Sequence, residues 1–281
     1  MPLRRTLISL LVFLQLLVSC VNNHPGGTDK AVLPAVPKSD TKEYNTLLAA
    51  LNELKQDPLL NGASVGYMVV DVTAPKPQVV ADYQAKKPMV PASTLKIFVT
   101  GAALEYFGKS VVPEVTITNQ MSVNWRSSKL LRRIGGKVYN EATTTAGTRA
   151  ILDFWSSRGV DTDGMYFYDG NGLSHNNAIS PKQLVDALNA MRHSPWFDVF
   201  YQSLPLAGIT GTLHRAMKGS AAEGRIHAKT GTIGRVKSFA GYVTTLSGRR
   251  LIFSLIVNDY SCRMKQVKKK LEEVMIRMAE V

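Results

Sequence analysis

The chain has 281 residues, enough for one large domain or two small ones, and its 45% hydrophobic and 20% charged content is normal for a globular protein. Its only two cysteines, Cys20 and Cys262, exclude a framework of disulfides. The net charge of +13 favours anionic surroundings, but there is no nucleic-acid-binding motif, and the Lys and Arg residues are scattered except in the last predicted helix. We therefore predict a cationic surface and no nucleic-acid partner.

The amino terminus has the pattern of an export signal. Two arginines precede an apolar stretch, 7–18, that is too short to span a membrane comfortably. The stretch ends in Leu-Val-Ser-Cys, which resembles the lipobox of a bacterial lipoprotein signal and implies cleavage before Cys20 and lipidation of its thiol. The alternative is an ordinary signal peptide, and both readings take the mature protein out of the cytoplasm. We predict a signal peptide with lipobox at 1–20 and a flexible tether at 21–42, which is rich in Asn, Pro, Gly, Thr and Lys.

The remaining residues, 43–281, are predicted to form one domain with strands near both ends and helices in the middle. Runs of apolar and β-branched residues predict strands at 63–72, 78–83, 225–230, 238–246 and 250–257, and a short extended segment at 114–120. Helical spacing and capping signals predict helices at 43–57, 91–104, 125–134, 146–158, 181–192 and 262–280, with Gly135-Gly136 ending the third of these. The pattern favours an α/β (α+β) fold in which both chain ends form one antiparallel sheet flanked by helices, with a helical subdomain.

A Ser-x-x-Lys tetrapeptide lies at the start of the helix predicted at 91–104. Lys96 follows Ser93 by three positions, so a helix places both side chains on one face, about one turn apart. A serine hydroxyl needs a base to become a good nucleophile, and a lysine amine can be that base if burial or a second cation lowers its pKa. Free amide N–H groups at the start of a helix favour a nearby negative charge. The tetrapeptide is common by chance, however, and a solvated serine beside a surface lysine is the plain alternative.

Two further short motifs follow along the chain, and the order of the three motifs is informative. Ser-x-Asn at 122–124 precedes a predicted helix, and Lys-Thr-Gly-Thr at 229–232 ends a predicted strand. Ser-x-x-Lys, Ser-x-Asn and Lys-Thr-Gly in this order resemble the motif set of penicillin-binding proteins and class A β-lactamases. Each motif alone is weak evidence, whereas all three in order and in matching structural context are not expected by chance.

The sequence around these motifs narrows the resemblance to a single family. Asp-Gly-Asn-Gly-Leu-Ser at 169–174, Ser-Leu-Pro-Leu-Ala-Gly at 203–208, Gly-Thr-Leu at 211–213, Ala-Lys-Thr-Gly-Thr at 228–232 and Phe-Ala-Gly-Tyr-Val at 239–243 resemble the peptidase S13 family, the D-alanyl-D-alanine carboxypeptidases/endopeptidases of the penicillin-binding protein 4 type. The resemblance implies a β-lactamase/DD-peptidase-like fold. It also implies a penicillin-binding, serine-type D-Ala-D-Ala carboxypeptidase that acts on peptidoglycan stem peptides through an acyl-enzyme, with DD-endopeptidase activity as a possible addition.

The resemblance also implies roles for the catalytic residues. Ser93 would attack the carbonyl of a D-Ala-D-Ala-type amide, and Lys96 would accept its proton. Lys229 would help to keep Lys96 neutral by like-charge repulsion. Ser122 would relay a proton to the leaving amine, and Asn124 would hold the substrate amide.

The substrate carboxylate, or the carboxylate of a penicillin, is expected at Thr230, Gly231 and Thr232. Ser174 and Asn176 form another Ser-x-Asn, so the sequence leaves open which of the two Ser-x-Asn segments is the second motif of the family. The helix predicted after residue 124 favours the first Ser-x-Asn, because the family's second motif precedes such a helix. Ser174 and Asn176 remain second candidates that would line the groove.

Two departures from the family pattern stand out. Val123 replaces the aspartate of the usual Ser-Asp-Asn, and only residues 97–121 separate the first and second motifs, where family members usually carry large inserted domains. The shortened form leaves substrate choice open. It does not affect the core chemistry.

The expected partners are peptidoglycan stem peptides ending in D-Ala-D-Ala, β-lactam antibiotics and a membrane that holds the lipid anchor. The expected location is the bacterial cell envelope, facing the periplasm or wall. No cofactor is expected, and the histidines lack metal-ligand spacing, so no metal is expected either. One alternative is a serine β-lactamase, which the sequence around Glu141 and Glu223 disfavours because neither lies in a Glu-x-x-Leu-Asn context. The other is a non-catalytic wall-binding or antibiotic-sensing lipoprotein.

Overall fold

A five-stranded antiparallel sheet forms the centre of the domain. The computed structural model describes residues 44–281, and the predicted signal, lipidation site and tether lie outside this range. The strands are β1 (Ser64–Asp71), β2 (Gln78–Tyr83), β3 (Ile226–Ile233), β4 (Val236–Thr244) and β5 (Arg250–Asn258). Their order is β2-β1-β5-β4-β3, so strands from the two ends of the sequence meet where β1 pairs with β5. The predicted fold class and sheet are confirmed.

Helices pack against both faces of this sheet. Within residues 44–281 the α-helices are α1 (Asn45–Gln56), α2 (Lys96–Phe107), α3 (Val112–Met121), α4 (Asn124–Tyr139), α5 (Thr144–Ser157), α6 (Pro181–Met191), α7 (Phe197–Ser203) and α8 (Met264–Glu280). None of them combines the length and the apolar character that a membrane span requires. Apart from the start of α2, the end of α4 and the unpredicted α3 and α7, the helices match the prediction to within a few residues.

Two hydrophobic clusters cover the two faces of the sheet. Helices α1 and α8 pack on one face, and α2 lies on the other, with α3 to α7 around it. Alternate strand residues belong to different clusters, as in β1, where Val69 belongs to the first and Val70 to the second. The residues of α2 from Lys96 to Leu104 are all buried, because the sequence of this helix is apolar on every side. The first turn of α2 therefore lies between the sheet and the helical layer.

The extended segment predicted at 114–120 is wrong, because these residues belong to α3. Pro113 lies in the first turn of α3, where its missing N–H costs nothing. The hydroxyls of Thr116 and Thr118 donate to the carbonyl oxygens four residues earlier, at 2.9 and 2.6 Å. The β-branched residues that suggested a strand are thus accommodated in a helix, and burial of Val115, Thr118 and Asn119 follows a helical spacing.

The helix end predicted at Gly135-Gly136 is also wrong, because α4 continues to Tyr139. Gly135 is buried where α4 contacts the beginning of α5. A Cβ at this position would lie 2.6 Å from the backbone nitrogen of Gly147 and 2.7 Å from the carbonyl oxygen of Glu141. The glycine is therefore required for close backbone approach between two helices.

Substituting the two glycines separately tests this explanation. We expect Gly135→Ala to lower the free energy of unfolding by about 1–3 kcal/mol, since the neighbouring atoms belong to the backbone and cannot move independently. Gly136→Ala is the matched control, because its Cβ would meet Ala142 Cβ at 3.5 Å. It should leave stability unchanged or raise it by up to about 1 kcal/mol through helix propensity. Urea unfolding measures both, and equal stabilities of the two variants would contradict the packing role of Gly135.

Candidate active site

The turn that carries Ser93 leads directly into the buried helix α2. Residues Ala92–Leu95 form a 3-10 turn, and α2 begins at Lys96. Lys96 Nζ donates a hydrogen bond of 2.7 Å to Ser93 Oγ. Ser93 is 8% exposed, whereas Lys96 is fully buried. The tetrapeptide therefore places both side chains on one face, as predicted, although its first turn is a 3-10 turn.

Strands β3 and β4 fix the position of this turn. Pro91 O accepts hydrogen bonds from Ser238 Oγ at 2.6 Å and from Thr94 Oγ1 at 2.7 Å. A Cβ at Gly231 would lie 2.1 Å from Ser238 Oγ and 2.8 Å from Pro91 O, so only glycine allows β3 to pass this close. Ala92 has a φ of +50°, which is uncommon for a residue with a side chain. The serine thus projects from a turn that the sheet holds in an unfavourable conformation.

The segment between α3 and α4 brings the Ser-x-Asn motif to the same place. Ser122 ends α3 with a left-handed φ of +55°, and α4 begins at Asn124. Asn124 Oδ1 accepts a hydrogen bond of 2.9 Å from Lys96 Nζ. Because this contact uses the side-chain oxygen of Asn124, which can only accept, the amide nitrogen of Asn124 remains a donor for another group.

Lys229 joins the Lys-Thr-Gly strand to the Ser-x-Asn motif. It lies on β3 and is fully buried. Its Nζ donates to Ser122 Oγ at 2.9 Å and to the carbonyl oxygen of Thr230 at 3.1 Å. The structure therefore brings the five predicted catalytic residues into two hydrogen-bonded groups, Ser93–Lys96–Asn124 and Lys229–Ser122, which the Ser-x-Asn motif joins along the chain.

Burial determines the charge state of these amines. It lowers the pKa of Lys96 to about 7, and the Asp169 carboxylate acts in the opposite direction. The pKa of Lys229 lies well below its ordinary value, mainly through burial and secondarily through repulsion by Lys96 and Lys237. The sequence predicts that burial or a second cation lowers the pKa of Lys96, with help from Lys229, and the principal cause in the structure is burial.

The predicted carboxylate-binding residues lie on the edge strand β3. Gly231 is buried, Thr230 is half-buried and Thr232 is exposed. Thr230 Oγ1 is 2.9 Å from Thr212 Oγ1. Thr230 and Thr232 are two positions apart on a strand and so share one side of it, while Lys229 and Gly231 point to the other.

The loop that contains Ser174 and Asn176 contributes a backbone atom rather than these side chains. Within the described residues, the hydrogen bonds of Ser174 and Asn176 remain inside the loop, including Asn176 N to Ser174 Oγ at 3.1 Å. The carbonyl oxygen of Asn171 instead accepts from Lys96 Nζ and, at 3.5 Å, from Ser93 Oγ. The sequence analysis did not identify Asn171, because a backbone contact leaves no side-chain signature.

Asp169 and Gly172 explain how this loop approaches Ser93. The Asp169 carboxylate accepts hydrogen bonds from the backbone nitrogens of Asn171, Gly172 and Ser174 at 2.6–3.0 Å. Gly172 has a φ of +82°, and a Cβ there would lie 2.0 Å from the carbonyl oxygen of Ala92. In the sequence, only the turn-forming residues at 169–174 indicate a tight loop that could pack this closely.

Residues 44–281 contain no group of three His, Cys, Asp or Glu side chains placed to hold a metal ion. The candidate site itself consists of amines, hydroxyls and amides. These are the side chains that a serine nucleophile with nearby amine bases would require.

Comparisons with known proteins agree with this arrangement. The sequence model of the D-Ala-D-Ala carboxypeptidase 3 (S13) family matches residues 47–112 and 109–280. A D-alanyl-D-alanine carboxypeptidase of Actinomadura sp. (strain R39) is 37% identical over 147 residues, which are 50% of this chain and 27% of that protein. Carboxypeptidase DacB of Mycolicibacterium smegmatis is 32% identical over 144 residues, 49% of this chain and 31% of that protein. The matched segments thus span about a third or less of these relatives.

Solved structures show the same fold at low sequence identity. Penicillin binding protein 4 (dacB) of Haemophilus influenzae, solved in complex with a β-lactam, superimposes with a TM-score of 0.72 and 14% identity, covering 81% of this chain and 98% of that one. A β-lactamase of Chitinophaga pinensis superimposes with a TM-score of 0.68 and 14% identity, covering 84% and 98%. Both known groups share the β-lactamase/DD-peptidase fold, and the family match separates them: this chain belongs to the D-Ala-D-Ala carboxypeptidase 3 (S13) family.

Proposed function

We propose that this protein is a serine-type D-Ala-D-Ala carboxypeptidase that acts on peptidoglycan stem peptides through an acyl-enzyme and is acylated by β-lactams. The observation that carries the proposal is the buried hydrogen bond of 2.7 Å between Lys96 Nζ and Ser93 Oγ. A lysine with a pKa of about 7 is partly neutral at physiological pH, so it can accept the serine proton. Membership of the S13 family supports the substrate class.

The first step is attack of Ser93 Oγ on the scissile carbonyl while Lys96 takes the hydroxyl proton. Asn124 orients Lys96 through its side-chain oxygen and offers its amide nitrogen to the substrate backbone. The backbone N–H groups of Ser93 and Thr232 form the oxyanion hole, an effect worth about 3–4 kcal/mol for each donor. The amine product then leaves, and water hydrolyses the acyl-enzyme.

Ser122 supplies the proton that the leaving amine requires. Lys229 Nζ donates to Ser122 Oγ at 2.9 Å, so the hydroxyl proton of Ser122 can be directed to another partner. As its proton passes to the amine, Ser122 Oγ takes a proton from Lys229 Nζ, so no alkoxide remains. The proton that Lys96 took from Ser93 balances the one that Lys229 gives up. The terminal carboxylate of the substrate, or that of a penicillin, binds along Thr230, Gly231 and Thr232 at the edge of the sheet.

The choice between the two Ser-x-Asn motifs can be tested by a matched pair of substitutions. We expect Ser122→Ala to lower the rate of D-alanine release by about 10²–10⁴-fold, the usual range for loss of a proton-transfer group. Ser174→Ala should change it by less than about threefold, because Ser174 bonds only within its own loop among the described residues. The reverse result would assign the catalytic role to Ser174 and Asn176.

A serine β-lactamase is the second candidate, since a solved β-lactamase shares the fold. Such an enzyme must hydrolyse its acyl-enzyme rapidly, and class A enzymes use a glutamate for that step. Glu223 accepts a hydrogen bond from the backbone of Gly219, and Glu141 is exposed. The Asp169 carboxylate, whose charge acts on Lys96, is held by the loop backbone. These contacts favour the peptidase.

Two measurements on purified protein test the proposed function. Mass spectrometry after incubation with pentapeptide and cross-linked muropeptides should show loss of one terminal D-alanine, and cleavage of cross-links would add DD-endopeptidase activity. Nitrocefin should give a single stoichiometric burst, whereas fast steady turnover would identify a β-lactamase. Acylation by penicillin with no release of D-alanine would instead indicate an antibiotic sensor.

We further propose that the protein is exported and functions in the cell envelope, where this substrate is found. The lipobox-like sequence supports a lipid anchor at Cys20 and a membrane as the partner that holds it. Metabolic labelling with a fatty acid, compared between the unaltered protein and Cys20→Ala, tests the anchor. Equal labelling of the two proteins would contradict it.

A further inference from the structure

A third buried amine, that of Lys237, lies beside the predicted carboxylate-binding strand, and the mechanism above does not use it. Lys237 is on β4, directly opposite Thr232 of β3. It is 5% exposed, and its Nζ donates a hydrogen bond of 2.6 Å to Thr232 Oγ1. The Nζ also lies 4.7 Å from the centroid of the Phe239 ring. The amine is therefore held in place on two sides.

The hydrogen bond from Lys237 determines which way the Thr232 hydroxyl can donate. An ammonium group has donors only, so Thr232 Oγ1 must act as the acceptor. The hydroxyl proton of Thr232 then has to be directed to a different group. Because Thr232 is exposed at the sheet edge, that group can be an anion bound from outside.

The charge of Lys237 has no direct counterion among residues 44–281, where no ion pair includes it. The charged groups that act on it are Lys268 and Glu272 of α8, which pair with each other at 3.4 Å, and Lys229 of β3, which Lys237 repels. Burial and Lys268 lower the pKa of Lys237 to about 8, while Glu272 acts in the opposite direction. Mostly protonated at neutral pH, this amine is a buried cation whose cost an anionic ligand would offset.

We propose that Lys237 is a positioning residue for carboxylate recognition: it fixes the Thr232 hydroxyl as a donor and places a positive charge behind it, so that the site selects substrates with a free terminal carboxylate. This inference rests on the proposed function. It identifies the side chain that would make the edge of β3 prefer acids over neutral analogues.

The test uses two acylating probes that differ only in the carboxylate, benzylpenicillin and its methyl ester. We expect Lys237→Gln to lower the second-order rate constant of acylation by benzylpenicillin by about 10-fold to 100-fold, the range for losing one charge-assisted hydrogen bond. The rate constant with the ester should change by less than about threefold. Lys237→Arg, which keeps the charge, should retain most of the preference for the acid.

Both probes are measured on the same preparation, so the ester reports any loss of folded protein. Lys269→Gln is the matched control, because it removes the same charge from a side chain that is 78% exposed. Equal losses with both probes, or no loss with either, would overturn the role of Lys237 while leaving the proposed function in place. Acylation of the unaltered protein by neither probe would overturn the proposed function, and this inference with it.

Discussion

Replacing Ser93 with alanine should abolish covalent labelling by fluorescent penicillin and reduce D-alanine release by more than about 10⁴-fold. The physical reason is that the acyl-enzyme requires the hydroxyl oxygen that Lys96 contacts at 2.7 Å. No other hydroxyl in the described residues accepts a hydrogen bond from this lysine. The measurement is gel fluorescence after labelling, together with quantification of released D-alanine.

Ser110→Ala provides the control for this experiment. Ser110 is an exposed serine shortly after the end of α2, and its hydroxyl donates to the carbonyl oxygen of Phe107 at 2.8 Å. Its variant should label as the unaltered protein does. Persistent stoichiometric labelling of Ser93→Ala would show that a different residue is the nucleophile.

Removing the amine of Lys96 should lower the rate constant of acylation by about 10²–10⁴-fold, because the serine loses its general base. Lys96→Met keeps a side chain of similar length in this fully buried position. Lys109→Met removes an amine from an exposed position after α2 and should have no effect. Stopped-flow or gel-based acylation rates compare the three proteins, and an unimpaired Lys96→Met variant would exclude Lys96 as the base.

The pH dependence provides an independent test of the same role. Lys96 is a base only when it is neutral, and burial lowers its pKa to about 7. The acylation rate of the unaltered protein should therefore rise with pH through about 7 and fall by about tenfold for each pH unit below this value. The residual rate of Lys96→Met should lack this dependence. A rate independent of pH between about 5.5 and 8 would contradict a neutral-lysine mechanism.

The sequence by itself determined the strands, most helices and the identity of the side chains in the site. Hydrophobic period is a local property, so strands could be predicted from apolar runs such as 250–257. The position of such runs near both chain ends then predicted that the two ends form one sheet. The order of the three motifs predicted Ser93, Lys96 and Lys229 as catalytic residues, because the proposed chemistry depends on residue type and spacing.

Only the tertiary structure decided three other features. The sequence predicts a helix end at Gly135, whereas in the structure this glycine allows α4 to contact α5. A side chain there would collide with the backbone of Glu141 and Gly147, and a helix-ending signal does not reveal these contacts. Asn171 contributes a carbonyl oxygen, which any residue type could supply. The charge states of Lys96, Lys229 and Lys237 depend on burial, and burial is a property of the packed domain that no short motif encodes.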